Sequence, residues 1–296
     1  MAPRLRVATR GSDLARRQTD SVVARLGIEV DVVVVSTTGD RRTDVPIHSL
    51  GGTGVFVKEV QEAVLAGDAD FAVHSAKDLP SQPTTGLTIA AVPERGDPRD
   101  ALVGSTLAGL ALGARVGTGA VRRRAQLAHA RPDLTFGEIR GNIATRLDRS
   151  ADFNAVVVAA VALERLGLTG RIAERLGVDV VLPQVGQGAI AVECRSDDGS
   201  TLSALAAVDD VVAHTAVTAE RAFLAHLGGG CDLPVGAYAR VGPDGATTLD
   251  VLLASLDGVT VVRASCVGAD PVSTGDEAAR RLLDDAGGRA LLEEVA

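Results

Sequence analysis

Twice in this chain a run of valines stands beside a stretch with helical spacing. VDVVVVST, 30–37, is a continuous β-branched run, and such a run predicts a strand buried on both faces of a helix-covered sheet. FNAVVVAAVALERLGL, 153–168, reads as a buried strand running straight into a helix. The residues around the first run complete the pattern. RLRVAT, 4–9, alternates like a strand, and DLARRQTDSVVARL, 13–26, has helical apolar spacing at Leu14, Val22, Val23 and Leu26. FVKEVQEAVLAG, 56–67, is amphipathic and stops at Gly67, and ADFAVHSA, 69–76, is another strand. The β-α-β-α-β rhythm defines an α/β domain with a mostly parallel sheet.

PERGDPRDAL, 93–102, is rich in Pro, Gly and charge and reads as a crossover into a second α/β set. That set runs from ARVGTG through the helix VRRRAQLAHARP, the strand and turn LTFGEIRG and the short helix NIATRLDRS to the second valine run. LPQVGQGAIAVECR, 182–195, is a glycine loop plus strand that returns to the first domain. From about 210 the pattern changes to one helix (AVTAERAFLAHL), a glycine loop, three strands (VGAYARV, TTLDVLLASL, TVVRASCVG) and a final helix. The division expected is 1–93 with 186–206 as domain 1, 97–183 as domain 2, and 210–296 as a small α+β domain 3. Aromatic residues make up only 2% of the chain, so these cores must be built from Ala, Val and Leu.

Charge narrows the function. The formal net charge of -8 disfavours general binding to nucleic acid or anionic membranes. No apolar run of signal-peptide or membrane-spanning length is found, so a soluble cytoplasmic protein is expected. The three cysteines, Cys194, Cys231 and Cys266, are odd in number and widely spaced, which argues against a disulfide framework. No CxxC or HExxH occurs, and no metal site is expected. Within this acidic chain, residues 115–149 hold eight arginines against Asp133, Glu138 and Asp148, a local excess of five positive charges that marks a candidate anion site. The chain has only two lysines, Lys58 and Lys77.

Several motifs can carry chemistry. GGGCDLPVG, 228–236, places Cys231 on a glycine-flanked loop, whereas Cys194 and Cys266 sit in apolar strand patterns and read as packing residues. A reactive anchor and an idle loop thiol both fit Cys231. HSAKDLP, 74–80, sets Lys77 and Asp78 just beyond a strand, where open α/β sheets bind ligands; a solvated turn is the plainer reading. Arg122, Arg123, Arg140 and Arg146 offer planar forks for carboxylates, and Gly141-Asn142 forms a turn beside Arg140. A solvated helix face accounts for Arg124 and Arg131. GGTGVFVKE, GTGAV and VGQGAI are weaker glycine-loop signals.

Taken together, RVATRGSDLA, STTGD, LGGTGVFVKE, DFAVHSAKDLP, ERGDPRDALV, RRRAQL, RPDL, IRGNIATRL, ALERLGL, LPQVGQGAIAVECR, TAERAFL and GGGCDLPVGAYA resemble the porphobilinogen deaminase (hydroxymethylbilane synthase) family, in order and in spacing, through nearly the whole chain. The resemblance implies two α/β domains like those of periplasmic binding proteins plus a small α+β C-terminal domain. It implies a dipyrromethane cofactor joined to Cys231 by a thioether, on which four porphobilinogen units condense with loss of ammonia before hydroxymethylbilane is released by water. It makes Asp78 the catalytic carboxylate. It places Lys77, Asp78, Thr118, Arg122, Arg123 and Gly141 on the cofactor, and Arg10, Ser12, Arg140, Arg146 and Arg165 on the substrate, whose rings carry acetate and propionate. A monomer is the family expectation. Two departures stand out: Gly119-Ala120 replaces a Ser-Ser pair common after the loop threonine, and Thr53 stands where lysine is common. The competing reading is a non-catalytic two-domain binding protein for a small carboxylate, which accounts for the α/β rhythm and the arginines but not for GGGC or a third domain. A nucleic-acid regulator using the RRR run fails on charge and on the lack of stacking aromatics.

Overall fold

The computed structural model describes residues 4–41, 54–229 and 233–295. It comprises two compact units, Met1–Gly96 with Gly188–His214, and Asp97–Gln187 with Thr215–Ala296. The strands in chain order are β1 (Leu5–Arg10), β2 (Val30–Val35), β3 (Phe71–Ser75), β4 (Leu87–Ala91), β5 (Asp100–Val103), β6 (Arg115–Gly117), β7 (Thr135–Gly137), β8 (Ala155–Ala159), β9 (Glu174–Arg175), β10 (Ile190–Arg195), β11 (Val235–Val241), β12 (Thr247–Ala254) and β13 (Val261–Gly268). Among the described residues they form three sheets.

The first unit is built on the order β2-β1-β3-β10-β4. β1 runs parallel to β2 and β3, while β10 returns antiparallel between β3 and β4. The helix Asp13–Leu26 matches the span read from its apolar spacing. Ser12 caps its start by accepting from the Ala15 N–H, and Gly27 ends it at φ 65°, donating to the Val23 carbonyl. Its buried side carries Ala15 and Val22 toward the sheet, where Val7, Phe71, Val192 and Cys194 are fully enclosed.

The valine run of β2 departs from expectation. It forms a strand, but an edge strand, with Val32 46% and Val34 47% exposed. Its twin, AVVVA in β8, is buried at every residue because it lies between β6 and β5. A valine run demands a strand; strand order decides how many faces are covered.

The second unit repeats the plan in β7-β6-β8-β5-β9, with β6 parallel to β7 and β8 and with β5 reversed. The expected architecture of two α/β sheets and a small C-terminal sheet is therefore borne out. The same unit holds that third sheet, the antiparallel β11-β12-β13. The helices Val211–Leu227 and Pro271–Arg280 cover it, and its core is Phe223, Leu249, Leu253, Ala279 and Leu282. The two sheets of this unit meet closely: the Ala237 N–H donates to the Pro183 carbonyl at 2.9 Å, and a Cβ on Gly236 would lie 2.9 Å from the Leu182 oxygen. No single helix among the described residues is long and apolar enough to cross a membrane.

Candidate functional site

In both α/β sheets the residues singled out by the sequence lie mainly in loops beyond the carboxyl ends of parallel strands, the usual ligand position in this architecture. In the first unit, the end of β1 supplies Arg10, the turn after it supplies Ser12, and the 3₁₀ turn Ala76–Asp78 after β3 supplies Lys77 and Asp78. All four line one pocket, together with Gln18, Phe56, His74 and Ser75. Lys77 and Asp78 are half-buried. Arg10 lies 4.3 Å above the Phe56 ring and is ion-paired with Asp40, its Nε donating to Oδ2 at 3.1 Å. Burial alone would raise the Asp40 carboxyl, but hydrogen bonds from Arg10 and Thr37 outweigh it and hold the group below its ordinary value. Ser12 has a structural task as well, since its Oγ caps the helix.

A buried polar chain runs behind this pocket. Thr84 donates to Gln61 at 3.1 Å, Gln61 donates to Glu193 on β10 at 2.8 Å, and His74 Nε2 stands 3.2 Å from the same Glu193 oxygen. His74 and Glu193 are each 5% exposed. Gln18 and Ser75 add a 2.9 Å contact at the pocket wall.

In the second unit, Thr118 follows β6, and Arg140 and Gly141 follow β7. Gly141 sits at φ 101°, and a Cβ there would come within 2.7 Å of Thr145, so only glycine fits. Arg146, on the short helix Ile143–Asp148, donates from Nε to the Gly141 carbonyl at 2.9 Å and braces that turn. Arg140 Nε is 3.4 Å from Glu138. Arg165 lies farther along, at the end of the helix Ala160–Arg165. Burial pushes its guanidinium down to about 10, with Glu164 opposing in part.

The helix Val121–Ala130 divides its three arginines as a helix face dictates. Arg124 points to solvent, as expected, while Arg122 and Arg123 are 3% and 5% exposed. Their forks close on one carboxylate, that of Asp100 on β5, which is fully buried. Arg122 Nη2 donates to Oδ2 at 2.7 Å; Arg123 donates from Nε at 2.9 Å and from Nη2 at 2.7 Å to Oδ1. Gln187 Nε2 completes the cluster, donating to Oδ1 at 2.9 Å and to the Pro98 carbonyl at 2.7 Å. Arg122 Nη1 reaches the Leu182 carbonyl at 2.6 Å, and its Nε is buried without a hydrogen-bond partner. Burial raises the Asp100 carboxyl, yet the two arginines together overcome that and hold it far below the ordinary range. Two guanidiniums on one carboxylate leave a single positive charge enclosed in protein.

One sequence reading needs adjustment. Arg131 is no solvated side chain: it pairs with Asp133 at 2.7 Å and donates to the carbonyls of Leu107 and Leu110. Asp100, Gln187 and Glu220 were not recognised as site residues. Glu220 is fully buried and accepts from the N–H groups of Gly186 and Ala239, which ties the glycine loop at 185–190 to β11. A lone acid inside DPRDAL or TAERAFL gave no signal of its own. Cys194 and Cys266 are core residues, as expected, and burial raises the Cys194 thiol to about 11. Cys231 and Thr53 lie outside the described residues.

The described residues thus form two open α/β sheets, with arginines near the carboxyl ends of their parallel strands, and a third, antiparallel sheet. Residues 5–203 match the family model described as "Porphobilinogen deaminase, dipyromethane cofactor binding domain", and residues 214–284 match "Porphobilinogen deaminase, C-terminal domain". The chain is 49% identical over 304 residues to a porphobilinogen deaminase of Roseiflexus sp. (strain RS-1), covering 99% of each chain. It is 46% identical over 307 residues to one from Trichlorobacter lovleyi, covering 100% of this chain and 98% of the other. Among solved structures it is similar to a YaeC-family lipoprotein from Enterococcus faecalis, at 17% identity and a TM-score of 0.40, over 70% of this chain and 92% of that one. The chain belongs to the porphobilinogen deaminase family.

Proposed function

We propose that this chain is an enzyme that condenses porphobilinogen, four molecules in turn, on a dipyrromethane held by a thioether to Cys231, and that it releases hydroxymethylbilane by hydrolysis. The family match carries this reading over a non-catalytic carboxylate receptor, because it extends through the C-terminal region that such a receptor lacks. The described residues fit the cofactor. Its rings bear acetate and propionate, and the second unit offers an enclosed cluster with one excess positive charge and an unpartnered Arg122 Nε. When bound, the dipyrromethane supplies a nucleophilic pyrrole α-carbon.

The chain's residues then divide the work. Porphobilinogen loses ammonia from its protonated aminomethyl group: the carbon–nitrogen bond breaks, the electron pair leaves with nitrogen as neutral ammonia, and the pyrrole is left cationic. The Asp78 carboxylate stabilises that cation beside the pyrrole N–H and moves the proton that must leave carbon after the new bond forms. Lys77 holds a carboxylate of the cofactor in the same pocket. Arg10, at the end of β1, and Ser12, in the turn after it, bind the incoming ring's side chains. Arg140, Arg146 and Arg165 take substrate carboxylates, and Thr118 and Gly141 hold the cofactor through their loop backbone. The glycine and alanine at 119 and 120 bring no hydroxyls to that loop.

The same reading divides the chain into domains 1–93 with 186–206, 97–183 and 210–296, and makes it a cytoplasmic monomer acting in tetrapyrrole synthesis. Incubation of the purified chain with porphobilinogen tests it. Four ammonia molecules should appear for each hydroxymethylbilane, and Cys231→Ser should lose nearly all turnover while Cys194→Ser keeps it. Full turnover by Cys231→Ser would overturn the assignment.

A further inference from the structure

We infer that Asp100 and Gln187 are positioning residues for cofactor loading, and that their task is to hold Arg122 and Arg123 as a fixed pair with one uncompensated positive charge. The inference rests on the proposed cofactor reading and deepens it. Asp100 opens β5, and Gln187 lies within the turn 185–188. Both are fully buried.

The geometry shows what they do. An arginine side chain has several rotatable bonds, and two neighbouring guanidiniums repel each other. Asp100 removes both problems, because its two oxygens accept three hydrogen bonds from the pair at 2.7–2.9 Å. Gln187 fixes Asp100 in turn: one amide nitrogen bridges Oδ1 and the Pro98 carbonyl, and its oxygen lies 3.5 Å from Arg123 Nη2. A second acid in the cluster would cancel the charge; an amide anchors it and leaves the charge in place. Arginine cannot shed its proton at working pH, so the excess persists. Among the described residues the cluster lacks one acceptor, at Arg122 Nε, and one negative charge, and a carboxylate would supply both.

The test uses the full chain purified from a host that makes porphobilinogen. Intact mass gives the fraction carrying a two-pyrrole adduct, measured only on the folded fraction from size exclusion, beside a melting curve. Asp100→Asn should lower that loaded fraction about tenfold or more, the scale of one charge-assisted hydrogen bond. Asp100→Glu restores the charge at a slightly different reach and should recover part of the loading. Gln187→Leu keeps the charge but frees Asp100, and should load less than the parent by a smaller factor. Arg124→Gln, which removes a charge on the outer face of the same helix, should load fully. A merely structural role predicts that whatever folds is fully loaded. Full loading of folded Asp100→Asn would therefore overturn the inference; if that variant yields no folded protein, full loading of Gln187→Leu overturns it. An unmodified parent chain would instead count against the Cys231 assignment.

Discussion

Each α/β sheet carries a buried acid on its reversed strand, Glu193 on β10 and Asp100 on β5. The first faces one imidazole and one amide; the second faces two guanidiniums and one amide. The second cluster sets two cations against one carboxylate and is left with one positive charge in excess; the first, with one imidazole against one carboxylate, has no such excess. One sheet plan thus serves two ends. In the first unit the polar chain backs an open pocket whose proposed working groups, Lys77 and Asp78, stand on a turn. In the second the positive charge is enclosed in the packing itself, so the side chains proposed to load the cofactor also hold the fold.

The largest effect should come from the open pocket, where function separates from fold. Asp78→Asn keeps shape but loses charge, and should cost about 10²–10⁴-fold in turnover or more, with unchanged circular dichroism. Asp78→Glu should stay above it. Substantial turnover by folded Asp78→Asn would move the catalytic role to another acid.

In the second unit stability is at stake as well. Arg123→Leu should destabilise the chain by about 3–5 kcal/mol in denaturant titrations, because it breaks a buried ion pair. Arg124→Leu, one residue along on the exposed face, should stay within about 0.5 kcal/mol of the parent. Equal losses would erase the assignment of the helix faces.

Glu193→Gln probes the other acid. The amide still accepts a hydrogen bond, so the cost should be smaller, about 1–3 kcal/mol. A loss matching that of Arg123→Leu would show that the first cluster is as charge-dependent as the second.

The smallest effect expected is in acid. The Asp100 carboxyl is held down by Arg122 and Arg123 against the opposing effect of burial. A depressed folded value stabilises the protein above the unfolded value, about 3.9, and that contribution is lost as pH falls toward the folded one. Stability of the parent should therefore decline below about pH 4, and Asp100→Asn should flatten that limb of the stability–pH curve.

Much of this was legible in the residues. The helix Asp13–Leu26 was readable to its ends because cap, apolar spacing and terminal glycine agree. The return of residues 190–195 to the first sheet followed from strand pattern and a glycine loop. The edge position of β2 was not legible, since the same valines suit a central or an outer strand and only pairing order separates them. The arginine cluster was half legible. Local charge marked residues 122–124, but the partner that buries two of them lies 22 residues upstream of Arg122, in a stretch that reads as a charged loop. The loop proposed to carry the attachment was the opposite case, visible in sequence as three glycines before Cys231.

The central claim is that Cys231 carries a covalent primer made from substrate, and intact mass of the purified chain tests it most directly. From a host that makes porphobilinogen, the mass should exceed that of the sequence by a two-pyrrole unit, and peptide mapping should place the addition on Cys231. The Cys231→Ser chain should show the sequence mass alone. An unmodified parent chain, or an addition mapped to Cys194 or Cys266, would contradict the account.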